Sequence, residues 1–290
     1  MSFLEADSFI FDSQSSDSYN LMMCWINDTA DISANGLRRT IDSGSVNHVR
    51  LKTNNYGVSF EGNIEFSFYI IKKDETPFTR QESIAVNRWL TGPTVPRALY
   101  FNDNAIPSLH YYAVCTEIED KVFLEHHAKR LVFKTNSPFG FTDPVEKRFL
   151  VTGAEIFSMD NIADTVNGIF YPRILLSAKS ADAIVIENVS DQKSVTLSIP
   201  ETFPTDSLGN RTLLIDSAQM KLLDVNNGSR LVPFHEVGWT TQYSSYVSSI
   251  DKYMESIYWF RLIQGTNTIK ITGDCKADFI FEFPRKAGCL

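Results

Sequence analysis

The sequence predicts a mostly β chain with one short α-helix in its N-terminal domain, and three observations carry that prediction. Phe is the commonest aromatic, with 21 copies against 4 Trp, and abundant Phe, Ile and Val suits pleated surfaces better than helices. Apolar and polar residues alternate through many short stretches, the period of a half-buried strand. A chain of 290 residues, 43% of them apolar, has room for roughly two domains of about 150 residues, each with a core.

In chain order, the first clear strand is Asn63–Ile71, where Ile64, Phe66, Phe68 and Ile70 share one face and Glu65, Ser67 and Tyr69 the other. A helix follows. Thr79 and Glu82 form a capping box after Pro77, giving acceptors to two free N–H groups at the helix start. Ile84, Ala85, Arg88 and Trp89 then recur at helical spacing until Gly92-Pro93 stops the run. Leu109–Ile118 and Lys121–Phe133 read as strands. Asn136-Ser-Pro-Phe-Gly-Phe-Thr-Asp-Pro144 carries two prolines and a glycine between strand-like runs, so the domains are drawn as 1–140 and 141–290. Beyond it, Ile169–Leu176, Ala183–Val189 and Lys193–Ile199 are strand-like, and Asn227-Gly228 is a tight hairpin signal. Near the end, Phe279, Phe281 and Phe283 share a face opposite Asp278 and Glu282. Many short strands with polar turns point to a β-sandwich.

The net charge of −8 is uneven: Glu5, Asp7, Asp12, Asp17, Asp28 and Asp31 precede the first basic residue, Arg38. Phosphate is repelled by an acidic chain without a basic stripe, so tight nucleic-acid binding is disfavoured. Cys24, Cys115, Cys275 and Cys289 stand singly, without the paired spacing of a zinc site or a disulfide scaffold, and free thiols are expected. The N-terminus lacks the basic and apolar regions of a signal peptide. With no export signal, the sequons at Asn27, Asn188, Asn210 and Asn227 carry little meaning, and no apolar run is long enough to span a membrane.

Catalytic patterns fail one by one. Asp42-Ser43-Gly44-Ser45 matches an aspartic-protease loop, but that chemistry needs a second carboxylate, so a polar turn is expected. His126 and His127 would point to opposite faces of a strand and cannot share a metal ion. His48, His110 and His235 stand apart, and neither a phosphate-cradling loop nor a nucleophile elbow is present. No catalytic residue, metal ligand or cofactor is expected. The one binding candidate is aromatic: Trp239, Tyr243 and Tyr246, followed by Tyr253, Tyr258 and Trp259, lie in a polar stretch. Exposed aromatic faces there would stack on sugar rings, whereas protein contact or packing under a loop is the commoner use.

Several segments together resemble a known family. They are Phe9-Ile-Phe-Asp-Ser-Gln-Ser-Ser-Asp-Ser-Tyr-Asn20, Pro77-Phe78-Thr79 with Glu82 and Arg88-Trp89-Leu90, and Tyr111-Tyr112. Leu131-Val-Phe with Ser137-Pro138, and Gly265-Thr-Asn267 with Ile269 and Ile271, complete the set. Their order is similar to that of the distal tail protein of long-tailed, non-contractile phages of Gram-positive bacteria. The resemblance implies an N-terminal β-rich ring-forming domain and a C-terminal galectin-like β-sandwich. It also implies a homo-hexameric ring between the tail tube protein and a tail-associated hub or lysin protein, with DNA passing transiently through the lumen. Receptor-binding proteins are further partners it suggests, and a place at the distal end of the virion tail, after synthesis in the host cytoplasm. No enzymatic activity and no membrane contact are implied. The alternative is a carbohydrate-binding module contacting the host cell wall through the C-terminal sandwich.

Overall fold

The computed structural model describes residues 6–24, 38–47, 52–102, 109–123, 126–165, 168–243 and 258–286. It is built almost wholly of antiparallel strands, with one α-helix among the described residues. The chain divides into two units, Met1–Asp143 with Pro284–Leu290, and Pro144–Phe283.

The first unit contains β1 (Phe9–Phe11), β2 (Gln14–Ser15), β3 (Leu21–Cys24), β4 (Arg38–Asn47), β5 (Lys52–Glu61) and β6 (Glu65–Lys72). Helix α1 (Arg80–Thr91) follows, then β7 (Arg97–Phe101), β8 (Leu109–Phe123), β9 (His126–Thr135) and β10 (Gly140–Thr142). Its main sheet runs β2-β1-β7-β8-β9-β6-β3, while β4 and β5 form a separate two-stranded sheet. Along β6 the alternation holds, with Phe66, Phe68 and Ile70 buried.

Both halves of the capping box are present: the Thr79 N–H donates to Glu82 at 2.7 Å, and the Glu82 N–H to the Thr79 hydroxyl at 3.3 Å. The helix buries Val86, Trp89 and Leu90, and leaves Ile84 exposed. Its buried face is therefore turned by about one residue, or ~100°, from the one the spacing suggested. Trp89 stacks between Phe9 and Tyr19, at 5.4 and 4.6 Å, and its Nε1–H donates to the Phe11 carbonyl at 3.0 Å. That bond satisfies the indole's polar end, which would otherwise be costly to bury.

The expected break between β8 and β9 at Glu119-Asp120 is absent, and β8 runs on to Phe123. Glu119 faces Arg130 and Asp120 faces Lys129 across the ladder, so the charges pair and the strand survives them. Asp42-Ser43-Gly44-Ser45 is no turn either. It lies within β4, where register shifts between Asp42 and Val46 mark a bulge.

The second unit contains β11 (Val145–Val151), β12 (Ala154–Asn161), β13 (Arg173–Ala178), β14 (Ala183–Asn188), β15 (Lys193–Ser198), β16 (Arg211–Asp216), β17 (Lys221–Asp224) and β18 (Arg230–Leu231). The last are β19 (Thr240–Tyr243), β20 (Gly265–Thr272) and β21 (Cys275–Phe281). Six strands in the order β11-β21-β13-β16-β17-β18 and five in the order β12-β20-β14-β15-β19 make two sheets. Ile174, Leu213, Ile215 and Phe279 of the first share one buried cluster with Ile184, Val195, Ile269 and Ile271 of the second. This is a β-sandwich. Asn227-Gly228 closes no two-residue hairpin: positive φ falls on Gly228 and Ser229, after a short 3-10 turn.

Three buried asparagines pin the chain that crosses the sandwich. Asn188 Nδ2 donates to the Arg261 carbonyl and to Asn267 Oδ1, at 2.8 and 2.9 Å. Asn267 accepts from the Ile263 N–H and donates to the Ile263 and Gly265 carbonyls. Asn161 donates to the Gly168 and Leu262 carbonyls. Because each amide finds partners, the interior tolerates all three. The final strand, β22 (Pro284–Arg285), pairs with β10, which is why residues 284–290 group with the first unit.

Candidate assembly surface

Part of the first unit's strand backbone stands outside its main sheet. Strands β4 and β5, ten residues each, pair only with one another among the described residues. An isolated two-stranded hairpin is marginally stable in water, and its outer N–H and C=O groups can take further strands. In the same unit the charge is less lopsided than the sequence suggests. Asp12 pairs with Arg97 at 3.4 Å and Asp17 with Lys73 at 2.7 Å, so cations brought from elsewhere offset two of the six early acids. Glu5, Asp28 and Asp31 lie outside the described residues.

The aromatic candidates scatter. Trp239 is half-buried against Phe234 and Trp259, at 5.7 and 5.3 Å. Its Nε1 is buried, without a hydrogen-bond partner among the described residues. Trp259 and Tyr258 are buried. Tyr243 is placed by its backbone, opposite Lys193 in β19; Tyr246 and Tyr253 lie outside the described residues. Spacing gave no warning of what Tyr258 joins. Arg261 forks onto Asp191 at 2.8 and 3.1 Å, Tyr258 donates to Asp191 at 3.4 Å, and Lys193 lies 5.4 Å over the Tyr258 ring. Burial, reinforced by the Asp191 carboxylate, pushes the Tyr258 phenol far above its ordinary value. Two segments 67 to 70 residues apart are thereby clamped together.

Groups with reactive potential are set for packing. Cys24, Cys115 and Cys275 are free thiols. Burial pushes Cys115 up to about 12 and Cys275 to about 11, and a thiol held protonated is a poor nucleophile. His110 is buried beside Tyr100 and Tyr112, and no cluster of three metal-ligating side chains occurs among the described residues. Asn188 of the second sequon is wholly buried, closed to any glycosylating enzyme. Among the described residues no helix is long and apolar enough to cross a membrane.

Comparison with known proteins fits this picture. Residues 4–137 match the family model described as phage tail protein N-terminal domain. Over that stretch the first unit is similar to such a domain. Among solved structures the whole fold is similar to the SPP1 Dit (gp 19.1) protein, described as a paradigm of the hub adsorption apparatus in phages that infect Gram-positive bacteria. The two are 13% identical, with a TM-score of 0.57 over 95% of this chain and 98% of that one. Chains of the phage P2 baseplate in its activated conformation also match. The calcium form is 6% identical with a TM-score of 0.50, covering 96% of this chain and 98% of that one. The strontium form is 7% identical with a TM-score of 0.52, covering 98% and 99%. No curated protein matches. The chain thus shares its β-rich fold with these hub and baseplate proteins over nearly all its length.

Proposed function

We propose that this tail protein is a structural hub of the tail tip, a homo-hexameric ring of N-terminal units joining the tail tube protein to a tail-associated hub protein. The observation that carries the reading is the β4–β5 hairpin, two long strands left to pair only with each other among the described residues. Hydrogen bonding to the next subunit would complete it. A contact between unlike surfaces of identical subunits closes into a ring when its rotation divides the circle. DNA would cross the lumen, and the early acidic residues would keep phosphate from adhering to the wall. Receptor-binding proteins are the candidate partners of the second unit. The likeness in fold to hub and baseplate proteins supports this reading, as do thiols held protonated by burial. Its work is then assembly rather than catalysis.

Light scattering of the purified protein, followed by negative-stain imaging and antibody-gold labelling of virions, tests the reading. Expected are particles of about six chain masses with a central hole, and label at the distal tail end. Virions without label, or a monomer that no tube or hub protein converts into a ring, would overturn it.

A further inference from the structure

The two outer faces of the sandwich differ in chemistry. On the five-stranded sheet, Thr272, Val185, Thr196 and Thr240 lie in register, beside a row of Lys270, Glu187, Ser194 and Gln242. Hydroxyl, amide and charged side chains dominate that face, and Ile156 of β12, opposite Lys270, is its lone large exposed apolar group among these rows. The six-stranded sheet breaks the pattern. Its inward side chains, among them Ile174, Leu213, Leu222 and Phe279, fill the core. The residues that alternate with them should be polar. Instead Leu175, Leu214, Leu223 and Leu231 stand directly opposite one another across β13, β16, β17 and β18. None belongs to the hydrophobic core, and Leu231 is 62% exposed. An apolar row with a polar rim marks a protein-contact surface.

The rim identifies the kind of partner. Asp278, opposite Leu175, is buried beneath Arg148 and Lys276, which donate to it at 2.8 and 2.7 Å. Asp216 is buried too, and accepts from the Gln219 N–H. Charges left at the surface are mainly cationic: Arg173 and Lys221 are exposed, and Glu146 is already bonded to Arg148. Such a rim is unusual on a chain of net charge −8. Strands about 4.8 Å apart set the four leucines along roughly 14 Å, the length of about nine helical residues.

We propose that this leucine row is the docking site for an acidic amphipathic helix of another tail protein. Its apolar stripe would lie across the strands, and its carboxylates would meet Arg173 and Lys221. The proposal rests on the tail-tip reading and adds a second contact surface, on the sandwich instead of the ring. Opposite charge at the rim selects the partner, and the buried leucines hold it.

The test uses assembled virions carrying a photo-cross-linking residue at Leu223, or at Thr196 on the hydroxyl face as control. Expected is a cross-link from position 223, and not from 196, to an Asp- and Glu-rich segment of one other virion protein. Leu231→Glu, at the exposed edge, is expected to lower its yield about tenfold, the scale of like charge opposed at an interface. Leu231→Lys should lower it much less. Virions that contain the protein but give no cross-link above control, or one only to a second copy, overturn the proposal. Equal losses with Glu and Lys overturn it as well. Virions lacking the protein overturn the tail-tip reading itself.

Discussion

The two units cover an antiparallel sheet by different means. In the first, helix α1 lies on an aromatic core: Phe9, Phe68 and Phe133 meet edge-on or stacked at 5.2 to 6.1 Å, and Trp89 caps them. In the second, a sheet covers a sheet, and part of the interior is polar, held by Asn161, Asn188 and Asn267. The determinants of the helix lie within a dozen residues of one another. Those of the polar interior are 79 and 101 residues apart in the chain. A local signal survives in the sequence; one assembled from distant residues exists only after folding.

The sharpest way to break that comparison is Trp89→Ala. It removes a buried indole and its bond to Phe11, and is expected to cost the first unit about 3–5 kcal/mol. In calorimetry one transition should fall while the other stays, and equal shifts of both would show that the units do not unfold separately. Asn267→Ala is the counterpart in the second unit. It strands the Ile263 N–H, the Ile263 and Gly265 carbonyls and one hydrogen of Asn188. The cost of a buried group left unpaired, about 1–3 kcal/mol, should fall on the other transition alone.

The same contrast explains what the sequence made legible. The strand at Glu65–Lys72, the capping box of α1 and the inward phenylalanines at 279 and 281 all follow from local periodicity or local pairing. Glu119-Asp120 misled because a charged dipeptide reads as a loop until its partners Arg130 and Lys129 are set beside it. Trp239 and Trp259, twenty residues apart, could be read as a surface platform, and only the fold brings them together, tilted, against Phe234. The leucine row was invisible for the same reason. Each member is one residue in its own strand, and the row exists only across the register of β13, β16, β17 and β18. An assembly surface is by nature a property of register and edges, so it leaves the weakest trace in a linear reading.

The smallest effect probes whether the helix start is as local as it looks. Thr79→Ala removes the N-cap acceptor and should cost about 1 kcal/mol. Glu82 adds a reach beyond the capping box. It accepts from the Thr79 backbone and hydroxyl, and its other oxygen lies 3.0 Å from Lys72 of β6. The Thr79 N–H bond first, then Lys72, holds its carboxyl below the ordinary value. A group whose pKa is lowered by folding stabilises the folded state above its unfolded value, and that contribution disappears as pH falls through the lowered one. Melting curves of the wild type and Glu82→Gln, taken from about pH 6 to about pH 3 across the carboxylate range, should therefore converge toward the acid end. A gap that persists in acid would mean that the two differ in packing at the helix start, and that the link to β6 contributes nothing through charge.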